Sequence, residues 1–315
     1  MKVLSLLPSA TEIVYALDAG DALCGVSGDC DYPSDVSNKP TVSRTRLPIN
    51  EETSPAAIDE MVRAELAVSD SIYTLDRPLI RELRPDVILA QDLCRVCAVP
   101  SGHVAEALEV IGCSAEVLSL DPRTLGDVLD DILSVGNALG LLARAESLVT
   151  ALEGRIERVR RATTTAPRRR VVALEWQDPP FNGGHWIPEM IEIAGGIDLL
   201  GRPAERSRTL EWTEVAAAAP DVIVYMPCGY DLTEAVKQLP GLYASATLRG
   251  TPAAEVNNVF VTDSSAYFSR PGPRLVEGIE VLAGILHPDL VPPPDATKAL
   301  RVSVQEGQLV TADLR

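Results

Sequence analysis

Arg84-Pro85-Asp86-Val87-Ile88-Leu89 recurs, almost residue for residue, as Ala219-Pro220-Asp221-Val222-Ile223-Val224. In both copies a proline and an aspartate lead into a short continuous apolar run, the pattern of a parallel strand covered on both faces. Each run feeds a loop that carries a cysteine, Cys94 in the first copy and Cys228 in the second. The same motif at an equivalent place in each half implies two related lobes. Around the first copy, Val3-Leu4-Ser5-Leu6-Leu7 reads as a buried first strand. Ser9-Ala10-Thr11-Glu12 reads as a capping box that opens a helix, with Ser9 as the N-cap. Strands and helices then alternate, as they do again after Val171-Val172-Ala173-Leu174, so each half is expected to be an α/β lobe with a parallel sheet.

Between the halves the period changes. Leu125, Val128, Ile132, Val135, Leu139, Leu142, Val149, Leu152, Ile156 and Val159 are spaced by threes and fours or their sums. That spacing predicts one helix from Thr124 to about Arg161, roughly 55 Å long. A coiled-coil seam is the competing reading. Flanking α/β material and the interruptions at Gly136, Gly140 and Gly154 favour a rigid spine. The expected organisation is an N-terminal lobe over 1–123, a linker helix over 124–163, a C-terminal lobe over 168–290 and a tail over 291–315. The fold class is therefore two Rossmann-like lobes joined by a single long helix.

Composition narrows the function. A formal charge of −17 over 315 residues argues against nucleic acid, which calls for a basic face. There is no run of eighteen apolar residues, so no membrane insertion is expected. The opening run is too short for a signal-peptide core, and six cysteines without an export signal read as reduced thiols. A cytoplasmic address follows. No phosphate-binding Gly-Lys-Ser/Thr loop, nucleophile elbow, dinucleotide fingerprint or His-Glu-x-x-His motif occurs, and only three histidines are present. A binding protein, not an enzyme, explains this with the fewest assumptions.

In open parallel sheets, ligands sit beyond the carboxyl ends of the strands. The segments expected there are chemically unusual for loops: Pro8-Ser9-Ala10-Thr11, Asp29-Cys30-Asp31-Tyr32, Asp92-Leu93-Cys94-Arg95-Val96-Cys97, Trp176-Gln177, Gly184-His185-Trp186, Cys228-Gly229-Tyr230 and Tyr267-Phe268-Ser269-Arg270. Cores normally claim thiols and aromatics. Their gathering at strand ends predicts a ligand site lined by Ser9, Thr11, Cys30, Tyr32, Cys94, Trp176, His185, Trp186, Cys228, Tyr230, Tyr267 and Arg270. Cys94 and Cys97 read as a redox pair, half a metal site or two packed thiols. With Cys30, His185 and Cys228 they would make a soft donor set for zinc or an iron–sulfur cluster. Cys24 and Cys113 read as small core residues, His103 as a helix-start residue and His287 as a helix-end cap.

Val3 to Glu12, the repeated strand motif and the long helix together resemble the long-helix (class III) substrate-binding proteins of ABC importers, which take up cobalamin and ferric siderophores. Asp92-Leu93-Cys94, Gly184-His185-Trp186-Ile187-Pro188-Glu189-Met190 and Tyr267-Phe268-Ser269-Arg270-Pro271-Gly272-Pro273 resemble its cobalamin-binding subgroup most. The resemblance implies a non-catalytic periplasmic-binding-protein-like chain that holds a corrinoid or related metal chelate in the cleft between its lobes, with an ABC permease as partner. His185 would then approach the metal. The alternative is a cytoplasmic metal- or cluster-bearing redox protein that uses the cleft cysteines.

Overall fold

The computed structural model describes residues 1–50, 52–69, 71–91 and 114–314. The chain divides into two compact units, one of Met1–Pro122 with Gly126–Ala151, the other of Arg123–Leu125 with Leu152–Arg315.

In the first unit, strands β1 (Val3–Ser5), β2 (Leu23–Ser27), β3 (Thr41–Thr45), β4 (Tyr73–Leu75), β5 (Val87–Ala90) and β6 (Glu116–Ser119) form one sheet in the order β4-β3-β2-β1-β5-β6. All pairings are parallel except that of β3 with β4. In the second unit, β7 (Arg169–Gln177), β9 (Gly196–Asp198), β10 (Val222–Tyr225) and β11 (Val259–Thr262) make a parallel core in the order β9-β7-β10-β11. That order matches β2-β1-β5-β6 strand for strand. β8 (Pro180–Asn182) folds back antiparallel on the far end of β7.

The repeated motif does the same work in both units. Arg84 and Ala219 take left-handed backbone angles, φ 49° and 46°. The following aspartate then turns back on the first strand of its sheet. Asp86 N–H donates to Lys2 O at 2.8 Å and Asp221 N–H to Arg170 O at 2.8 Å. In return, Asp86 Oδ2 accepts from Lys2 N–H at 2.6 Å, and Asp221 Oδ2 from Arg170 N–H at 3.0 Å. Each lock registers the central strand pair, Val3 against Val87 and Val171 against Val222. The apolar runs are fully buried, as their lack of polar alternation requires. Leu4, Ile88 and Val42 anchor the first core, and Val172, Ile223, Tyr225 and Val261 the second.

The predicted single rod from Thr124 to Arg161 is two helices, Leu125–Ala138 and Leu142–Thr163. Gly140 has φ 69°; its N–H reaches Asn137 O at 3.0 Å, and Leu141 N–H reaches Gly136 O at 2.7 Å. This is a Schellman stop, which needs a left-handed residue where glycine carries no steric cost. A Cβ on Gly136 would lie 2.4 Å from Ala145 Cβ, so glycine also permits the close approach of the two helices. The apolar spacing runs on across the break because both helices bury one face. The second helix, about 33 Å long by its 22 residues, runs from the first unit into the second at Ala151–Leu152.

The segment taken as a 291–315 tail belongs to the second sheet. β12 (Ala299–Gln305) pairs antiparallel with β11, and β13 (Gln308–Ala312) pairs with β12. Glu306 and Gly307, at φ 50° and 78°, make the two-residue turn whose twist suits a hairpin. Among the described residues no helix is long and apolar enough to cross a membrane.

Candidate functional site

In both sheets, strands leave the first strand in opposite directions, and the switch falls at β1/β5 in one unit and β7/β10 in the other. Ligands of open parallel sheets bind beyond the carboxyl ends at such a point. The loops after these strands are therefore the candidate site, and each unit is built as follows.

In the first unit, the helix Pro8–Ala16 follows β1 directly. Its N-cap is Leu7 and Pro8 occupies the first turn, so Ser9 is a buried helical residue and not the expected N-cap. Proline, with its fixed φ and missing N–H, takes the first helical position and draws the start forward. Thr11, fully buried, donates to Ser5 Oγ at 2.8 Å, and Ser5 Oγ donates to Leu7 O at 3.0 Å. Cys30 Sγ lies 3.1 Å from Thr11 Oγ1. A carbonyl only accepts, so the chain has one direction. Ser5's proton is committed to Leu7 and Thr11's to Ser5, which leaves the Thr11 hydroxyl with acceptor capacity toward Cys30 Sγ. Tyr32 is 48% exposed. Gln91 ends the described part of the β5 loop. Cys94, Cys97, His103 and Cys113 lie outside the described residues.

In the second unit, Trp176 near the end of β7 and Tyr230 after β10 face each other, with ring centroids 5.5 Å apart and planes tilted by 60°. Between them stands an exposed turn. Tyr230 N–H donates to Pro227 O at 3.1 Å, Gly229 sits at φ 81°, and Cys228 N–H is tied to Glu175 O at 2.9 Å. Cys228 is exposed at its tip. Tyr267 and Arg270 follow β11 and are half-buried. Burial pushes the phenols of Tyr230 and Tyr267 up, helped by Glu234 and Glu277 respectively, so both remain neutral at physiological pH.

His185 and Trp186 depart from expectation. Trp186 is only 5% exposed, and its indole N–H donates to Phe268 O at 2.8 Å. Its polar end is spent on the backbone, so it supports the site and does not wall it. His185 is held at φ 52° between Glu205 O, which accepts its N–H at 2.6 Å, and Ala204 N–H, which donates to its carbonyl at 2.9 Å. Its ring stacks on Trp186 at 5.5 Å. Burial, with Arg206 and Arg123 nearby, lowers its pKa and keeps the imidazole neutral. Neutral imidazole is the metal-binding form, but Nε2 is sealed from solvent with no hydrogen-bond partner. A ligand metal would reach it only after the side chain moved.

Among the described residues no three His, Cys, Asp or Glu side chains are arranged to hold a metal ion. The predicted soft donor set also includes Cys94 and Cys97, which lie outside the described residues. His287 ends its helix as predicted, with Nε2 3.2 Å from Gly195 O. Cys24 is part-buried against the first core, and burial raises its thiol pKa. A groove of about 590 Å³ lined by Val159, Val281 and Pro293 includes none of the strand-end loops, and its charges are largely paired, as Arg155–Glu280 at 2.6 Å and Lys298–Glu277 at 2.7 Å.

The thiols of Cys30 and Cys228 make a direct check. With iodoacetamide at pH 8, Cys228 is expected to label roughly tenfold faster or more than Cys30, since Cys228 is exposed while Cys30 is part-buried against Thr11. Peptide mapping by mass spectrometry reads the order; equal labelling would contradict this difference in access.

Comparison with known proteins fits this architecture. An uncharacterized ABC transporter substrate-binding lipoprotein of Bacillus subtilis (strain 168), YvrC, is 25% identical over 301 residues, covering 91% of this chain and 80% of its own length. The apo form of the periplasmic heme-binding protein RhuT from Roseiflexus sp. RS-1 superposes with a TM-score of 0.69 at 23% identity, over 91% of this chain and 98% of its own. The periplasmic vitamin B12-binding protein BtuF of Vibrio cholerae does so with a TM-score of 0.63 at 19% identity, over 90% and 96%. The family model described as "Periplasmic binding protein" matches residues 3–266, and with most of its length so covered the chain belongs to that family.

Proposed function

We propose that this protein is the solute-binding component of an ABC importer whose cargo is a metal chelate with its axial positions already filled, a corrinoid foremost. The observation that carries the reading is the Trp176–Tyr230 ring pair beside the β7/β10 switch, an aromatic surface suited to the apolar face of a macrocycle. The state of the metal-bonding groups described in the second unit bears on the choice among chelates. Among the described residues of the second unit, the Tyr230 and Tyr267 phenols are kept protonated and the His185 Nε2 is closed off. A chelate held by its faces and edges fits this set better than one that needs a protein ligand on its metal. The name of BtuF, a vitamin B12-binding protein, lends support, while that of RhuT, a heme-binding protein, makes hemin the natural comparison. The role is capture and delivery to a permease, without chemistry on the cargo.

Titration with cyanocobalamin is expected to give saturable heat and a shifted corrin absorption, with a Kd of about 1 μM or tighter, near −8 kcal/mol. Hemin is expected to bind more weakly. Absence of heat and of spectral change at millimolar cyanocobalamin would sink the corrinoid reading, and tighter binding of hemin would transfer it to a metal with an open axial site.

A further inference from the structure

We propose that Ser264 and Ser269 are positioning residues that fix the Met226–Tyr230 turn, and through it the stance of Tyr230 against Trp176, before any ligand arrives. The significance for binding rests on the reading of the Trp176–Tyr230 surface given above; the positioning itself does not.

Ser264 Oγ donates to Met226 O at 2.9 Å and lies 2.7 Å from Ser269 Oγ. Ser269 Oγ accepts the Gly229 N–H at 3.2 Å. The Met226 carbonyl has no proton to give, so Ser264 must spend its own there and accept from Ser269. The result is a single directed chain, from Gly229 N–H through the Ser269 and Ser264 hydroxyls to the Met226 carbonyl. It starts and ends on the same turn, closing the turn across its own base.

Backbone bonds complete the clamp. The N–H groups of Ser264 and Ser265 both donate to Tyr230 O, at 3.1 and 3.0 Å. Asp263 Oδ1 accepts from Ala266 N–H at 2.8 Å and holds the segment in its helical turn. Ser264 is 1% exposed, so neither water nor an alternative rotamer easily replaces its contacts. Gly229 is required for its φ of 81° alone, because a Cβ there would meet nothing within 4 Å. The turn thus has a backbone shape that few residues adopt, and it is held by the loop after β11. Directed relays occur at the strand ends of both units: Thr11–Ser5–Leu7 in the first, Gly229–Ser269–Ser264–Met226 in the second.

The test compares Ser269→Ala, Ser264→Ala and Ser269→Thr with the unaltered protein. The Trp176 contribution to fluorescence is isolated by subtracting the Trp176→Phe background in each case. Ser269→Ala is expected to change that contribution in ligand-free protein of unaltered far-UV circular dichroism. It is also expected to weaken cyanocobalamin binding about fivefold, the equivalent of one hydrogen bond. Ser269→Thr, which keeps the hydroxyl, is expected to restore both. An unchanged Trp176 signal in folded Ser269→Ala and Ser264→Ala overturns the proposal. A changed signal upholds the positioning role even if the unaltered protein binds no chelate, an outcome that would count against the function alone.

Discussion

At pH 8 the Asp131→Asn protein is expected to resist urea better than the unaltered chain, by about 3 kcal/mol in the first unit's unfolding, and to match it near pH 4. Asp131 sits in the helix Leu125–Ala138, and its Oδ2 is buried with no hydrogen-bond partner. Burial first, then the nearby Asp121, Asp127 and Asp130, pushes its pKa up from 3.8 to about 7. An acid whose folded pKa is raised binds its proton more tightly in the native state. No penalty exists below the unfolded value near 4; stability then falls as pH rises and levels off above about 7. Asparagine has no proton to lose, so the variant's advantage should open across that window. The figure is set below the full electrostatic value because the side chain keeps partial exposure. Asp198, pushed up to about 6 by burial, contributes with the same sign in the other unit but is common to both proteins. A pH-independent difference, or a less stable variant at pH 8, would refute the account.

How much of this was legible depended on whether the signal was local. The Pro-Asp-apolar motif predicted its strands well because a doubly covered strand needs only a continuous apolar run, and the aspartate lock lies within the motif itself. The helix break at Gly140 was masked by periodicity. Two helices burying one face each continue the same spacing, and only the glycine marked the stop. The hairpin of β12 and β13 does carry a local signal, alternating Val302 and Val304 before Glu306-Gly307. For the site, aromatic and thiol residues at strand ends identified the loops. Composition could not say which of the adjacent Trp176, His185 and Trp186 faces outward, because that is set by hydrogen bonds to distant positions such as Phe268 and Glu205. Ser264 and Ser269 escaped for the same reason. Serine after a strand is ordinary, and its role appears only once the turn it closes is in place.

Substituting the two indoles should separate recognition from support. Trp176→Ala is expected to weaken cyanocobalamin binding by about 30- to 100-fold while leaving the fold in place, as loss of a central aromatic anchor commonly costs 2–3 kcal/mol. Trp176 is half-buried, and its ring meets Tyr230 at 5.5 Å beside the β7/β10 switch. Trp186→Phe should do the reverse. It keeps most of the buried ring but leaves the Phe268 carbonyl without its 2.8 Å donor, in a place water does not reach. That orphaned acceptor costs about 1–3 kcal/mol of stability, seen as a lower urea midpoint, while chelate affinity below the transition changes less than threefold. Binding isotherms and unfolding curves on both variants decide the matter together. If Trp186→Phe proves the weaker binder and Trp176→Ala the less stable protein, the ligand-facing surface has been assigned to the wrong side of the β7 strand end.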